Sequence, residues 1–269
     1  MKKSKKAIIT MVVGVLTLGM VGCSSSNKGD NQLETIKEKG VLTIGTSADY
    51  PPYEFHKEIN GKDNIVGFEM MIAKEIADEL GVKLEIKDMK FDGLLGALKA
   101  GNVDMVVAGM SPTEERKKAV NFTDVYYNGE HTILIKEKNK SKFKNINDLK
   151  SAKIGVQKAS LQETMAKDVI QATDIKSLNK ISDVILELQN NNVDAVVVSK
   201  EAVEGYLKQY PEIVNSNIDL GEQKEEGSAI AINKSDDMSL IDSVNKTLNQ
   251  LKSKNKIDEF VKEATELAQ

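Results

Sequence analysis

Tryptophan is missing from this chain of 269 residues, cysteine occurs once, histidine twice, and only one of its 37 basic residues is an arginine. The single cysteine, Cys23, excludes an internal disulfide, so packing alone has to hold the fold together. Two histidines, His56 and His131, with one cysteine offer no metal-ligand spacing, and neither sits in a recognisable catalytic arrangement. His56 is expected in a loop. No Walker-type glycine loop occurs, so this chain is not expected to hydrolyse ATP, and no cofactor is implied. Beyond the N-terminus no apolar run is long enough for a transmembrane helix. Aromatics are scarce, six Phe and six Tyr, so each one near a candidate site carries weight.

The N-terminus is organised for export. Met1–Lys6 is basic, Ala7–Leu18 is apolar but short, and Gly-Met-Val-Gly-Cys then leads into three serines. Cys23 resembles the lipidated cysteine of a bacterial lipobox, with Met20 where leucine is usual; an ordinary signal peptide with an incidental cysteine is the alternative. Acylation would anchor the protein to the membrane. Cleavage before Cys23 removes four lysines and leaves 33 basic against 41 acidic residues, a mildly acidic balance that argues against nucleic acid. The remaining length of about 240 residues suffices for one large or two modest lobes.

After a polar tether, strands and helices alternate. Val41–Thr46 is a strand, Glu69–Leu80 a helix closed by Gly81, and Val82–Lys87 a strand. Leu94–Ala100 is a helix closed by Gly101, and Val103–Gly109 an apolar strand. This order implies parallel sheets covered by helices. "LGALKAGNVDMVVAGMS" and, about 90 residues later, "ILELQNNNVDAVVVSKE" share a helix, a cap, Asn-Val-Asp and a β-branched strand, which suggests two similar lobes. In each unit the aspartate, Asp104 or Asp194, is expected to serve the strand start.

Two serines announce helices at strand ends. Ser111 in "SPTE", followed by Pro112 and Glu114, and Ser160 in "SLQE", with Glu163, have the spacing of capping boxes. Helix starts beyond the carboxyl ends of strands are where open α/β sheets bind ligands, and their unpaired N–H groups favour anions. The lone arginine, Arg116, follows one turn after the first serine. Either it grips both oxygens of a carboxylate, which a lysine cannot do, or it pairs on the surface with Glu114 or Glu115.

"IGTSADYPPYEF", "VGFEMMIAKEIADELG", "FDGLLGALKAGNVDMVVAGMSPTEERKKAVNFTDVYY" and "IGVQKASLQETM" follow one another in an order that resembles the amino-acid-binding lipoproteins of ABC importers, the polar amino acid branch of the periplasmic binding proteins. The resemblance covers nearly all of the mature chain. It implies an α/β, two-lobed type II periplasmic-binding-protein fold with two crossover strands, near Asn128–His131 and Glu225–Ile232, and the ligand in the interlobe cleft. The implied layout is a signal peptide over 1–22, a lipidated tether over 23–32, lobe 1 over 33–128, lobe 2 over 129–226, and a return with C-terminal helices on lobe 1 over 227–269.

The resemblance also implies roles. Arg116 would hold the ligand carboxylate with help from Gly109 and Ser111, and Ser160 with the Leu161 amide would close on it from lobe 2. Tyr50 and Phe91 would sandwich the ligand side chain. Glu54 would contact a polar or cationic group, face solvent, or pair at the hinge. The acidic residue expected five positions after Asp194 to bind the ligand ammonium is here Ser199, so Glu201 or Glu226 is left to supply the charge, or Ser199 gives only a hydroxyl.

The implied partners are a free amino acid, arginine or lysine by preference, an ABC permease with its separate ATPase, and the membrane through a lipid anchor; the protein would be an extracytoplasmic monomer. The rival is a dehydratase-like cleft enzyme acting on a small carboxylate, with Glu201 or Glu226 as its acid or base. A sensor module is disfavoured, because the tether is lipid-like and no signalling domain follows.

Overall fold

The structure is a computed structural model and describes residues 31–221 and 227–268. The leader with Cys23, and Glu225 and Glu226, lie outside the described residues. Among the described residues no helix is long and apolar enough to cross a membrane.

Lobe 1 begins with α1 (Gln32–Lys39), capped by the Asn31 side chain, which accepts from the Glu34 amide. β1 (Val41–Thr46) follows, then a three-stranded antiparallel sheet of β2 (Asp49–Tyr50), β3 (Glu54–Ile59) and β4 (Lys62–Val66). The β3–β4 turn is Asn60-Gly61, both with positive φ, a hairpin signal that the polar flanking residues hide in the sequence. His56 accordingly lies on β3, between Asp63 and Asp88, and not in a loop. The lobe continues through α2 (Phe68–Leu80), β5 (Lys83–Asp88), a 3-10 turn (Phe91–Gly93) into α3 (Leu94–Lys99), β6 (Met105–Val106), α4 (Glu114–Ala119) and β7 (Asn121–Phe122). The expected strand over Val103–Gly109 forms a ladder only at Met105–Val106, because the chain turns away towards Gly109, whose φ is 55°.

Lobe 2 holds β8 (His131–Lys136), β9 (Lys153–Gln157), α5 (Leu161–Asp168), β10 (Asp174–Leu178), α6 (Ile181–Gln189), β11 (Ala195–Ser199), α7 (Val203–Gln209) and β12 (Ile213–Asn215). The chain then returns to lobe 1 as β13 (Ala231–Ile232), α8 (Ser239–Ser253) and α9 (Lys256–Leu267). The two sheets have matching orders, β5-β1-β6-β13-β7 and β10-β9-β11-β8-β12. In each, the fourth strand arrives from the other lobe and runs antiparallel to its neighbours. The two crossing segments pair at Tyr127 and Ser228.

Each lobe buries apolar residues on both sheet faces. In lobe 1, α2, α8 and α9 cover one face with Ile72, Ile76, Val244 and Leu248, and α3 covers the other with Leu94 and Leu98. In lobe 2, Met165 and Ala166 of α5 and Val184, Ile185 and Leu188 of α6 do the same. The Asn-Val-Asp echo has a structural cause. Asp104 accepts from the Thr43 amide at 2.7 Å and donates its own amide to the Thr43 carbonyl, and Asp194 does both with Lys153. Each aspartate thus locks the start of its strand onto the neighbouring parallel strand, β1 in one lobe and β9 in the other.

Candidate functional site

A cavity of about 440 Å³ lies between the lobes. Tyr50, Glu54, Phe91, Gly109, Ser111 and Arg116 line it from lobe 1, and Ser160, Leu161 and Ser199 from lobe 2, so these nine expected residues meet in one place. Tyr53, His131, Gln157 and Gln162 line it too, and the sequence reading assigns none of them to the site. Gln162 follows directly from the α5 start, since a residue next to Ser160 and Leu161 shares their end of the helix. His131 is harder to foresee: burial holds its pKa down to about 4, so it is a neutral hydrogen-bonding group at neutral pH.

Arg116 is placed by a cap other than the expected one. Thr113, not Ser111, caps α4 and accepts from the Arg116 amide at 3.3 Å; Pro112 therefore lies before the helix. Ser111 instead offers its carbonyl to Arg116 Nη1 at 2.8 Å, while Nη2 donates to the Ala159 carbonyl across the cleft at 2.8 Å. The guanidinium carbon lies 5.6 Å from the centre of the Phe91 ring. Glu114 pairs with Lys117, not with Arg116. Two spaced donors and a flat cation beside a ring are properties of a guanidinium that an ammonium lacks. On the facing lobe Ser160 does cap α5, accepting from the Glu163 amide at 3.2 Å, and Glu163 bonds back to the Ala159 amide, one residue before the cap.

The floor on the lobe 1 side is a pair of buried carboxyls. Glu54 and Glu69 are 1% and 0% exposed and are close enough for each to perturb the other. Glu69 accepts from the Gly109 amide, 2.9 Å to each oxygen, and from the Tyr126 hydroxyl. Glu54 Oε2 has no hydrogen-bond partner. Burial pushes both carboxyls up, and the neighbouring Glu69 charge pushes Glu54 well above the usual range. Glu54 therefore does not face solvent. Because the Gly109 N–H is committed to Glu69, any backbone help from Gly109 to a ligand comes through its carbonyl. The position of α2 that brings Glu69 here depends on Gly67 (φ 136°): a side chain there would have its Cβ 2.0 Å from the Tyr53 carbonyl oxygen.

Further bonds cross the cleft. The Ser199 amide donates to the Tyr50 hydroxyl at 2.9 Å, and Tyr50 stacks on Tyr53 at 5.1 Å. Asp49 accepts from the Ile181 amide at 2.7 Å, capping α6 from the opposite lobe; the residue at α6's own cap position, Lys180, makes no side-chain cap. Burial raises the Asp49 pKa and the Ile181 amide draws it back. Tyr206 donates to the Asp49 carbonyl at 2.8 Å, and Lys158 pairs with Asp92 at 2.9 Å. Glu201 accepts from the Tyr53 hydroxyl at 3.2 Å and packs on Gly129 at the crossover, and it does not line the cavity. Of the two acids expected to substitute at Ser199, Glu201 is therefore away from the cavity, and Glu226 lies outside the described residues. Ser199 itself faces the cavity and accepts from the Ala202 amide at 3.4 Å.

The comparisons agree with this geometry. The family model for bacterial extracellular solute-binding proteins, family 3, matches residues 42–265. The arginine-binding extracellular protein ArtP of Bacillus subtilis is 37% identical over 260 residues, spanning 96% of this chain and 97% of the relative. The amino acid ABC transporter substrate-binding protein AbpA of Streptococcus pneumoniae, solved bound to L-arginine, superposes with a TM-score of 0.83 at 34% identity, covering 87% of this chain and 98% of that one. An ancestral amino acid-binding protein, AncCDT-1, a precursor of cyclohexadienyl dehydratase, gives 0.78 at 33% identity over 87% of this chain and 99% of its own. This chain belongs to the bacterial extracellular solute-binding proteins of family 3.

Proposed function

We propose that the protein is the extracytoplasmic binding subunit of an ABC amino acid importer, and that its ligand is a cationic amino acid, arginine first. The observation that carries the reading is the polarity of the cavity: one arginine at one side, a buried carboxyl pair at another, and aromatic rings with them. The ligand carboxylate takes the Arg116 guanidinium and the N–H groups at the start of α5, beside Ser160 and Leu161. Its cationic side chain lies by Tyr50 and Phe91, with Glu54 beyond them. Among the described residues, the Gly109 carbonyl, the Ser111 and Ser199 hydroxyls and Asp219, which also lines the cavity, are the candidates for the α-ammonium. Closure adds the lobe 2 contacts, and only this excess affinity for the closed form drives it. A permease recognises the closed shape, a separate ATPase supplies the energy, and a lipid on Cys23 holds the monomer at the membrane. The division into lobes at 128/129 and 226/227 follows the two crossings.

A buried, raised carboxyl in a cleft is also what the dehydratase reading requires, now through Glu54 and not Glu201. The binding reading is preferred because Glu54 and Arg116 bracket a ligand that carries both charges. Thermal unfolding of refolded, ligand-stripped mature protein against every free amino acid tests both. Ligand at about 100 times its dissociation constant adds roughly 2.7 kcal/mol, and arginine should give the largest shift and be recovered unchanged. Conversion of the ligand, or a screen with no cationic hit, would reverse the choice.

A further inference from the structure

Glu54 and Glu69 are unequal partners. Glu69 has three donor contacts, two from the Gly109 amide and one from the Tyr126 hydroxyl, and these favour its charged form against the upward push of burial. Glu54 lines the cavity, and its Oε2 meets no donor among the described residues. Two touching carboxylates without a cation repel, and a shared proton relieves this by turning one of them into a donor to the other. With Glu69 already supplied, the proton belongs on Glu54.

The groups around Glu54 reinforce that placement. Asp49 on β2, Asp88 at the end of β5 and Glu69 on α2 all disfavour a charge on Glu54, and the Tyr50 and Tyr126 hydroxyls add none of the opposite sign. Across the cavity, Arg116 bonds to the Ser111 and Ala159 carbonyls, and His131 is held neutral by burial. Among the described residues no ion pair reaches Glu54, so the cation that would let it ionise is assigned to the ligand.

We propose that the Glu54–Glu69 pair holds one proton in the ligand-free protein and releases it when a cationic side chain seats against Glu54, so that capture exchanges one proton for one cation. The inference rests on the cationic-ligand reading above. The Glu54 O–H bond breaks, its electron pair stays on the carboxylate, the proton passes to water, and the incoming guanidinium or ammonium keeps all its own protons. A neutral isostere of arginine instead takes a hydrogen bond from the protonated Glu54 and displaces nothing. Glu69 does not touch the ligand; as a positioning residue it decides which carboxyl is protonated. Released into a more acidic exterior, such a protein holds its cation less firmly.

Calorimetry of the mature protein with L-arginine and with L-citrulline, in buffers of different ionisation enthalpy, counts the protons directly. At a pH where Glu54 is protonated, arginine should release close to one proton and citrulline none, and arginine affinity should rise by up to about tenfold per pH unit. Glu54→Gln should abolish the release. Glu69→Gln, which leaves Glu54 without its charged neighbour, should shift the affinity–pH profile towards lower pH and keep arginine bound. Arginine binding with no buffer dependence would overturn the exchange and leave the proposed function standing. Equal release with citrulline would assign the proton elsewhere and overturn it as well. If no cationic ligand binds at any pH, the cationic-ligand reading fails, and the exchange fails with it.

Discussion

The two lobes share a sheet order and a strand-locking aspartate, and yet they meet the cleft with different chemistry. Lobe 1 brings the arginine, the carboxyl pair and the rings of Tyr50 and Tyr53, backed by Phe68 and Tyr127 at centroid distances of 4.7 to 6.0 Å. Lobe 2 brings backbone amides and small hydroxyls, at Ser160, Leu161 and Ser199, with Gln162. Lobe 1 therefore has the groups to recognise a ligand by charge and shape, whereas lobe 2 offers groups that complete hydrogen bonds once the cleft is shut. The internal echo preserved the scaffold and left the strand-end loops free to diverge, as expected where a sheet carries its function on its connections.

That asymmetry can be broken from the recognising side first. Arg116→Lys should weaken arginine by about 30-fold, since losing a charged fork costs roughly 2 kcal/mol, and a loss under about threefold in titration would remove Arg116 from the carboxylate site. On the closing side, Asp49→Ala removes the cap that lobe 1 lends to α6. Loss of such a cap costs about 1 kcal/mol, so affinity should fall about fivefold while scattering shows a more open ligand-free ensemble. An unchanged scattering profile would mean that the cap does not hold the lobes together.

Tyr50→Phe tests the joint between the two roles, because it keeps the ring and deletes the hydroxyl that takes the Ser199 amide. The expected loss is about 1 kcal/mol, appearing as faster ligand release and not slower capture. The smallest effect on binding is expected from Asp104→Asn and Asp194→Asn, which touch the scaffold alone. Each should lower the melting temperature by about 2–4 °C per kcal/mol lost and leave the dissociation constant unchanged. A binding defect confined to one of them would show that the echo is not a purely structural repeat.

Much of the fold could be read because its signals are local. Gly81 and Gly101 close their helices in left-handed conformation, and Ile72, Ile76 and Leu80 mark the buried face of α2 as the spacing says. The hairpin β3–β4 was missed because its strands are polar and only half covered, so no alternation marks them. Ser111 was misread because Thr113, two residues later, competes for the same cap, and only the path of the chain after Gly109 decides between them. Glu69 looked like the first turn of an amphipathic helix. Nothing local shows that Gly109, 40 residues on, turns its amide towards it.

By itself the sequence determined the alternation of strands and helices, the repeated half, and the single residue type able to grip a carboxylate with a fork. These follow from periodicity and composition, which act over a few turns of chain. Tertiary structure alone decided that Glu54 and Glu69 are driven together out of water, that Glu201 faces the hinge and not the ligand, and that α6 is capped from the other lobe. Those outcomes depend on burial and on groups more than a hundred residues apart, as with Asp49 and Ile181, or brought together by both crossings, and desolvation is a property of the packed molecule that no short stretch contains.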